Sequence, residues 1–369
     1  MPNNFGGARR VAALTAGVVT TILLGSVAGH AQAISFVFSG NANDALHNYN
    51  SSGRINKVTH NGTGSYTVTL PRMGDGMSSN VQVNALSMSN VGVKKNVLPA
   101  IVFCVTPSWG SNGRTVSVDV LCFDSSGAPQ DTQFKVLYQA RHRRDTATPV
   151  IAFLWADQPT AIHYRPDPSY QFSSEGRDAR VTRTGAGDYT VNLPLMTAVH
   201  GTALVTAYGD APAHCAVMRW VARGTGVVLK VACTDVSGAP FDTRFSLVYS
   251  ASATAGYGAA TPRGAAILAD KPHAVRAYTP DPDFSISMGS SPMTVGRTGT
   301  GTYQWTLTAD QSWGASTVLV TPYGAPGNFC SGQARGQQPQ ALITVNCFDV
   351  TGHLADTAFT ATFQTSNGI

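Results

Sequence analysis

The segment Cys122-Phe-Asp-Ser-Ser-Gly-Ala-Pro-Gln-Asp-Thr-Gln-Phe134 decides the fold, because the chain contains it three times. Each version begins with a cysteine, has an aspartate two residues later and ends with a phenylalanine twelve residues after the cysteine. The other two versions are Cys233-Thr-Asp-Val-Ser-Gly-Ala-Pro-Phe-Asp-Thr-Arg-Phe245 and Cys347-Phe-Asp-Val-Thr-Gly-His-Leu-Ala-Asp-Thr-Ala-Phe359. Equivalent positions lie 111–123 residues apart, which is a domain length, so the pattern predicts three tandem copies.

A Gly-x-Gly-x-Tyr motif also recurs, with its tyrosine at positions 66, 189 and 303. In copy one this tyrosine stands 38 residues before the next cysteine, against 26 and 27 residues in copies two and three. We therefore place an insertion near residues 88–102 of copy one. The motif superficially looks like a dinucleotide fingerprint, but it precedes a strand pattern, so its glycines are expected to serve a turn or a bulge.

These motifs set the expected domain boundaries. Copy one covers residues 34–140, copy two 149–252 and copy three 264–369. The polar segment 141–145 and an Ala, Gly and Thr-rich segment at 253–264 are the expected linkers. Because few contacts cross a polar linker, we expect the three copies to fold separately.

Within each copy, hydrophobic residues alternate with polar ones. Val116, Val118, Val120 and Cys122 fall on one parity, and β-branched or aromatic residues dominate that parity in every copy. This period of two is typical of half-buried antiparallel strands. The sequence therefore predicts an all-β chain of three tandem antiparallel β-sandwich domains, Ig-like in type, with a jelly roll as the nearest alternative.

The composition excludes several classes of protein. Only 12% of the 369 residues are charged, and Glu175 is the one glutamate, so long solvated helices and coiled coils are not expected. A glycosidase mechanism that needs two glutamates is excluded as well. The net charge of +5 is too small to indicate a nucleic-acid partner.

The N-terminal segment has the pattern of an export signal. Arg9 and Arg10 precede an uncharged, mostly apolar stretch at 11–29, and Ala31-Gln32-Ala33 matches a cleavage site. We predict a signal peptide at residues 1–33, with a retained membrane anchor as the alternative. No other segment is apolar enough to span a membrane, so the expected location is extracellular or in the cell envelope.

Each copy carries two cysteines, and an oxidising compartment favours disulfides. Turn sequences lie at the midpoint of the first two cysteine pairs, around Gly113 and Gly224. Folding each segment about its turn places its two cysteines opposite each other on neighbouring strands, within disulfide range. A zinc or redox site is less well supported, because there is no third ligand and no Cys-x-x-Cys. The predicted disulfides are Cys104–Cys122, Cys215–Cys233 and Cys330–Cys347.

Two aspartates seven residues apart recur in every copy and have two interpretations. They form a Ca²⁺ loop if their carboxylates lie free beside backbone carbonyls. They form a β-turn and a strand-start cap if their oxygens accept local hydrogen bonds. The candidate ligands are Asp124, Asp131, Asp235, Asp242, Asp349 and Asp356.

Trp109 and Trp220 each lie five residues after the first cysteine of their copy. In a regular strand this odd offset places them on the face opposite that cysteine, where exposed indoles stack on sugars. The alternative is that each indole covers the hairpin tip or turns inward at a bulge. The third copy has Arg335 at this position.

Three stretches of copy two resemble a known type of repeat. The run from Trp155 to Ala161, the segment 182–191 and the Cys215…Trp220…Cys233 spacing resemble a repeat of uncharacterised secreted proteins of actinobacteria and other high-GC bacteria. The resemblance covers most of residues 149–365 and, more weakly, 34–140. It implies export and repetition, and it implies no activity.

Together these features predict a secreted, non-catalytic, multi-domain β protein without a cofactor. The expected role is extracellular binding or surface interaction, with an extracellular glycan or a cell-surface component as partner. The alternatives are a secreted hydrolase with its site in one divergent domain, the insertion being the first place to look, and a structural envelope protein or inhibitor.

Overall fold

The computed structural model shows an all-β protein in which Gln32–Ile369 form one compact unit. Within the described ranges, the only helices are short 3₁₀ turns at Ser39–Asn41, Pro168–Tyr170 and Pro282–Phe284, and no helix is long and apolar enough to cross a membrane. The structure describes residues 33–41, 47–74, 78–86, 101–141, 150–196, 201–251, 263–287, 292–308, 314–337 and 340–366.

Copy one has two antiparallel sheets. One has the order β2-β1-β9-β5; the other has the order β3-β4-β8-β6, with β7 also paired to β8. The strands are β1 (Ala33–Phe38), β2 (Asn48–Asn50), β3 (Lys57–Gly62), β4 (Ser65–Leu70), β5 (Ser78–Ala85), β6 (Val102–Val105), β7 (Trp109–Asn112), β8 (Thr115–Asp124) and β9 (Phe134–Arg141).

Copy two repeats this arrangement with the orders β12-β10-β18-β15 and β11-β13-β14-β17-β16. Its strands are β10 (Ile151–Ala156), β11 (His163–Tyr164), β12 (Gln171–Ser173), β13 (Arg180–Gly185), β14 (Asp188–Pro194), β15 (Thr202–Tyr208), β16 (Ala213–Arg223), β17 (Gly226–Asp235) and β18 (Arg244–Ser250).

Copy three has the orders β20-β19-β26-β23 and β21-β22-β25-β24. A parallel bridge between Val217 of β16 and Tyr323 of β23 joins the first of these sheets to copy two. The strands are β19 (Arg263–Ala269), β20 (Ile286–Ser287), β21 (Met293–Gly299), β22 (Thr302–Thr308), β23 (Ser316–Tyr323), β24 (Phe329–Gln337), β25 (Gln340–Phe348) and β26 (Ala358–Thr365).

The predicted alternation is what forms the cores. In β4 every second residue is buried, and Val68 and Leu70 are fully inaccessible to solvent. These side chains meet those of the other sheet of copy one, such as Phe134 and Val136, in a single cluster. Trp305, at the same parity as Val68, is fully buried in copy three.

The prediction that few contacts cross between copies is wrong. The largest core cluster contains Phe103 of copy one, most of the apolar residues of copy two, and Leu268, Phe329 and Phe348 of copy three. Copies that share buried side chains in this way lose apolar contacts when one of them opens. Most of the two expected linkers lies outside the described residues. Their described residues belong to strands instead, because Arg141 ends β9, and Arg263 and Gly264 begin β19.

The three copies close on one another about a pseudo-threefold axis. The equivalent strands β5, β15 and β23 lie side by side there. Gly127 of copy one lies against Pro212 of copy two, Gly238 of copy two against Val350 of copy three, and Gly352 of copy three against Ile101 of copy one. Because the third contact returns to copy one, the arrangement is a closed ring.

Two predicted segments fall largely outside the described residues. Residues 1–32 of the predicted signal peptide are outside them, and so are residues 87–100, which include most of the predicted insertion. Ala33, the last residue of that predicted signal, is the first residue of β1 and pairs with Ala140.

Candidate functional site

The cysteines pair as predicted. Each pair lies at directly opposed positions of two antiparallel strands, with Cα atoms 4.0–4.1 Å apart. Gly113 and Gly224 have φ values of 59° and 62°, as the two predicted hairpin turns require. The three disulfides are Cys104–Cys122, Cys215–Cys233 and Cys330–Cys347.

Of the two interpretations of Trp109 and Trp220, the structure supports the inward-turned one. Trp109 and Trp220 are only 7% and 5% exposed. In β16 a bulge between Val217 and Arg219 adds one residue, which reverses the parity and turns Trp220 inward. In copy one the strand is interrupted before Trp109, with the same result.

Both indoles fill the junction with the next copy. Trp109 packs edge-on against Tyr170 and Tyr208 of copy two, at ring distances of 5.6 and 5.1 Å. We call this junction the first seam. Trp155 of copy two completes the cluster, with its ring 5.9 Å from Trp109.

The second seam repeats the first one copy further along. Trp220 packs edge-on against Phe284 and Tyr323 of copy three, which are equivalent to Tyr170 and Tyr208. In copy three the register of β24 has no bulge, and Arg335 remains exposed.

The first aspartate of each predicted calcium pair closes its own turn. Oδ1 of Asp124 accepts hydrogen bonds from the Ser126 backbone N–H, the Ser126 hydroxyl and the Ala128 backbone N–H, at 2.9, 2.6 and 3.0 Å. Asp235 and Asp349 accept the same three bonds in their copies. These bonds hold the pKa of each carboxyl below its usual value, with the Ser126 hydroxyl first for Asp124.

The second aspartate instead ties down the Gly-x-Gly-x-Tyr hairpin. Asp356 accepts hydrogen bonds from the Gly301 N–H at 2.8 Å and from both arms of the Arg297 guanidinium at 2.9 Å. The guanidinium is the main reason that the pKa of Asp356 falls to about 2. Gly301 has a φ of 62°, so the motif serves a turn, as predicted.

We call this arrangement the aspartate clasp, formed by Asp131, Asp242 or Asp356 with its hairpin. Copy two uses Arg183 as copy three uses Arg297. Copy one has His60 instead, whose Nε2 lies 2.9 Å from Asp131 Oδ1.

These bonds do not favour the calcium interpretation. Ca²⁺ needs free carboxylate oxygens that converge, whereas the two aspartates of a copy bond N–H and O–H donors of different loops. Among the described residues there is also no group of three or more His, Cys, Asp or Glu side chains placed to hold a metal ion.

The axis itself carries the most distinctive cluster. The residue before the first cysteine of each copy lies there: Phe103, His214 and Phe329. The imidazole of His214 is 4.1 Å from the Phe103 ring and stacks on Phe329 at 4.9 Å, and the two phenyl rings are 5.7 Å apart.

A cavity of about 50 Å³ adjoins this cluster and is partly open to solvent. All three copies contribute equivalent residues to its lining. These include the valines 83, 205 and 320, then Ala85, Ala207 and Pro322, and the three disulfide-bonded residues Cys104, Cys215 and Cys330.

Equivalent hydrogen bonds join the copies beside the cavity. The Val83 N–H donates to Thr206 Oγ1 at 3.1 Å, the Val205 N–H donates to Thr321 Oγ1 at 3.1 Å, and Asn84 Nδ2 donates to the Val320 carbonyl at 3.2 Å and to the Cys330 carbonyl at 3.0 Å. Asn84 occupies the position of the two threonines, which is a further break in the threefold pattern.

His214 and Asn84 both have an unused polar atom. Within the described part of the chain, His214 Nε2 and Asn84 Oδ1 are buried and have no hydrogen-bond partner. Burial lowers the pKa of His214 to about 4, so its ring is neutral near neutral pH. Leaving such atoms unpaired costs about 1–3 kcal/mol each.

Copy three returns to copy one through a polar contact, which we call the closing seam. The buried ammonium of Lys135 donates to the carbonyl of Gly332. At the first seam the equivalent carbonyl, that of Thr106, accepts instead from the Gly209 backbone N–H at 3.1 Å. Burial lowers the pKa of Lys135 to about 7.

Comparison with protein-family models, with curated proteins and with solved structures finds no match to this chain. The resemblance to secreted bacterial repeats therefore stays a prediction.

The axial residues were not predicted from the sequence. His214 does not recur in the other copies, and recurrence was the signal that directed attention to the aspartates and tryptophans. The useful signal was the opposite one: a polar residue at a position where the other copies have phenylalanine.

Proposed function

We propose that the chain is an exported, non-catalytic binding protein. Its three copies, each a β-sandwich, close into one unit around a ligand site on their common axis. The observation that supports this most directly is the axial cavity, which is lined by equivalent residues of all three copies. Two of the described residues that line it, His214 and Asn84, each have a buried polar atom without a hydrogen-bond partner. Ligand sites are typically concave and combine apolar side chains with a few convergent polar groups.

The repeated polar residues support a scaffold role for the rest of the molecule. The aspartates hold turns and hairpins, and the two repeat tryptophans hold copies together. The side chains of these aspartates and tryptophans therefore already make the contacts that stabilise the fold. The three disulfides suit an oxidising compartment, which fits export.

Glycan stacking on Trp109 and Trp220 is not part of this proposal, because both indoles are buried. The proposed partner is an extracellular or cell-surface molecule that reaches the axial cavity. Since this cavity combines all three copies, we expect one ligand for each chain.

The test is a thermal-shift screen of a small-molecule library on the exported protein, run beside a broad hydrolase screen. Ala207→Leu fills the cavity, and Ala222→Leu makes the same change at an exposed hairpin position. We expect at least one ligand to raise the Tm of the wild type and of Ala222→Leu, but not of Ala207→Leu. Equal shifts in all three proteins, no ligand at all, or hydrolytic turnover would contradict the proposal.

A further inference from the structure

The outer face of one sheet of copy two carries a concentration of positive charge. In the sheet with the order β11-β13-β14-β17-β16, one parity of each strand faces the core and the other faces solvent. Four cations occupy the outward parity, and we call them the cationic face: Arg180 on β13, Arg219 and Arg223 on β16, and Lys230 on β17. The three arginines are exposed and the lysine is partly buried. None of the four lines the axial cavity.

This charge belongs to copy two alone and is not a property of the repeat. Strand register identifies the equivalent positions in the other copies. In copy one they hold Lys57, Ser108, Asn112 and Asp119, and in copy three Thr294, Gln333, Gln337 and Thr344. The lysine and the aspartate of copy one cancel, so these positions have no net charge in either of the other copies. The fold forms twice without the four cations and therefore does not require them.

One pair of these cations is unfavourable for the sheet itself. Arg219 and Lys230 lie directly opposite each other on neighbouring strands, and like charges in that arrangement destabilise a sheet. In copy one the same two positions are complementary, because the Ser108 hydroxyl donates to Asp119 Oδ2 at 2.6 Å. Among the described residues, none of the four cations forms an ion pair, and Asp188 is the one acid on the outward parity of these five strands. Uncompensated repulsion of this kind indicates that the negative charge comes from a partner.

The spacing of the cations restricts that partner. Arg180 and Arg219 are three strands apart, and Arg219 and Arg223 are four residues apart along β16. Each of these separations is about 14 Å between backbones. One small anion does not reach all four side chains, whereas an extended polymer with several negative groups does. Three of the four cations are arginines, whose planar guanidinium binds a carboxylate through two parallel hydrogen bonds.

The surface between the cations suits a sugar polymer. Thr190 and Asn192 of β14 lie on the outward parity between the strands of Arg180 and Lys230. Their hydroxyl and amide groups both donate and accept hydrogen bonds, as sugar hydroxyls do. Val221 is the only large apolar residue exposed within these five strands, so the face lacks the apolar cluster with which proteins insert into a lipid surface.

We propose that the cationic face binds a linear acidic polysaccharide, with its carboxylates at the four cations and its hydroxyls at Thr190 and Asn192. This surface is separate from the axial cavity, so the inference does not depend on the ligand proposed for that cavity.

The experiment measures binding of the exported protein to polygalacturonate and to its methyl ester, in which the same polymer has no carboxylate charge. We expect the wild type to bind the acid form and not the ester. In the double variant Arg219→Gln/Lys230→Thr, which installs the residues of copy three, affinity for the acid form should fall at least about 10-fold, because two charge-assisted contacts are lost. The Tm of this variant should not fall, since the substitutions also remove the like-charge pair.

A matched variant controls for the net charge of the protein. Arg54→Gln/Arg335→Gln also removes two positive charges, from exposed positions of copies one and three. It should bind polygalacturonate as the wild type does. Inorganic polyphosphate and phosphatidylglycerol vesicles test the two other kinds of polyanion, and both should bind more weakly than polygalacturonate.

Four results would overturn the inference. They are the absence of polygalacturonate binding, equal binding of its methyl ester, tighter binding of polyphosphate or of the vesicles, and equal affinities of the two double variants. Equal losses in both variants would indicate general attraction to a basic protein, and wild-type affinity in both would place the contact elsewhere.

Discussion

The first two seams and the closing seam join equivalent strands with different chemistry. At the first seam Trp109 inserts among aromatic rings of copy two, and Trp220 does the same at the second. At the closing seam copy three presents the exposed Arg335, and Leu86 of copy one stands where the other copies have a tyrosine. Polar bonds from Lys135 and Asn84 complete the ring there.

The difference shows how one repeat adapts to the ends of a ring. Copies one and two each present a tryptophan to the next copy along the chain. Copy three faces copy one, whose sequence diverges directly after Leu86. A tryptophan at position 335 would lack the tyrosine that the other two tryptophans contact, so the exposed arginine is the compatible residue.

The largest effect should come from removing a seam tryptophan. Trp109→Ala or Trp220→Ala leaves a large void among aromatic rings and should lower the free energy of unfolding by about 3–5 kcal/mol. Arg335→Ala, the matched change in copy three, should alter it by less than about 0.5 kcal/mol. Denaturant unfolding of the three variants with disulfides intact measures this. Equal losses in all three would remove the distinction between the seams.

A smaller contrast separates the aspartate clasps of copies three and one. Asp356→Asn removes a carboxylate held by two guanidinium bonds and should cost about 1.5–3 kcal/mol near neutral pH. Asp131→Asn should cost less, because its side chain is 51% exposed and its partner is a histidine.

The pH dependence sharpens this second prediction. The pKa of Asp356 is about 2, against 3.8 for an ordinary aspartate. Its carboxylate therefore stabilises the fold fully above about pH 4 and loses that contribution as the pH falls toward about 2. The difference between wild type and Asp356→Asn should shrink over that window in acid titrations followed by circular dichroism. A difference that is constant with pH would show that the guanidinium pair does not stabilise the fold.

Lys135 tests the closing seam through the pH dependence of stability. The unfolded chain keeps this proton up to about pH 10.5, whereas in the folded chain its pKa is about 7. The free energy of unfolding should therefore rise with pH between about 7 and 10, by at most about 1.4 kcal/mol per pH unit. Lys135→Met should abolish this rise, and Lys57→Met, at an exposed position, should retain it. Identical pH profiles for wild type and Lys135→Met would mean that the ammonium is not desolvated.

The sequence predicted the local structure better than the assembly. Strand alternation and the cysteine pairs follow from short-range rules, because a period of two and a central turn determine which residues face each other. The sequence left two directions open for Trp220, because a single bulged residue reverses the parity and only the structure shows that bulge. The axial cluster of Phe103, His214 and Phe329 depends on contacts between residues more than 100 positions apart, and no periodicity determines those.

The same limit explains why the contacts between the copies were not predicted. Polar linkers indicate separability only where the surfaces beyond them are polar. Here each copy has apolar residues on the outer side of its strands as well, such as Ile34, Leu204 and Leu319, which meet in a cluster of their own. In the sequence, these strands appear as runs of consecutive apolar residues that do not alternate with polar ones.

The central claim is that the three copies form one closed unit, and scanning calorimetry tests it most directly. A closed ring with shared cores should unfold in a single transition, with a ratio of calorimetric to van't Hoff enthalpy of about 1. Three independently folding domains would instead give separate transitions or a ratio near about 3, and either result would contradict the account.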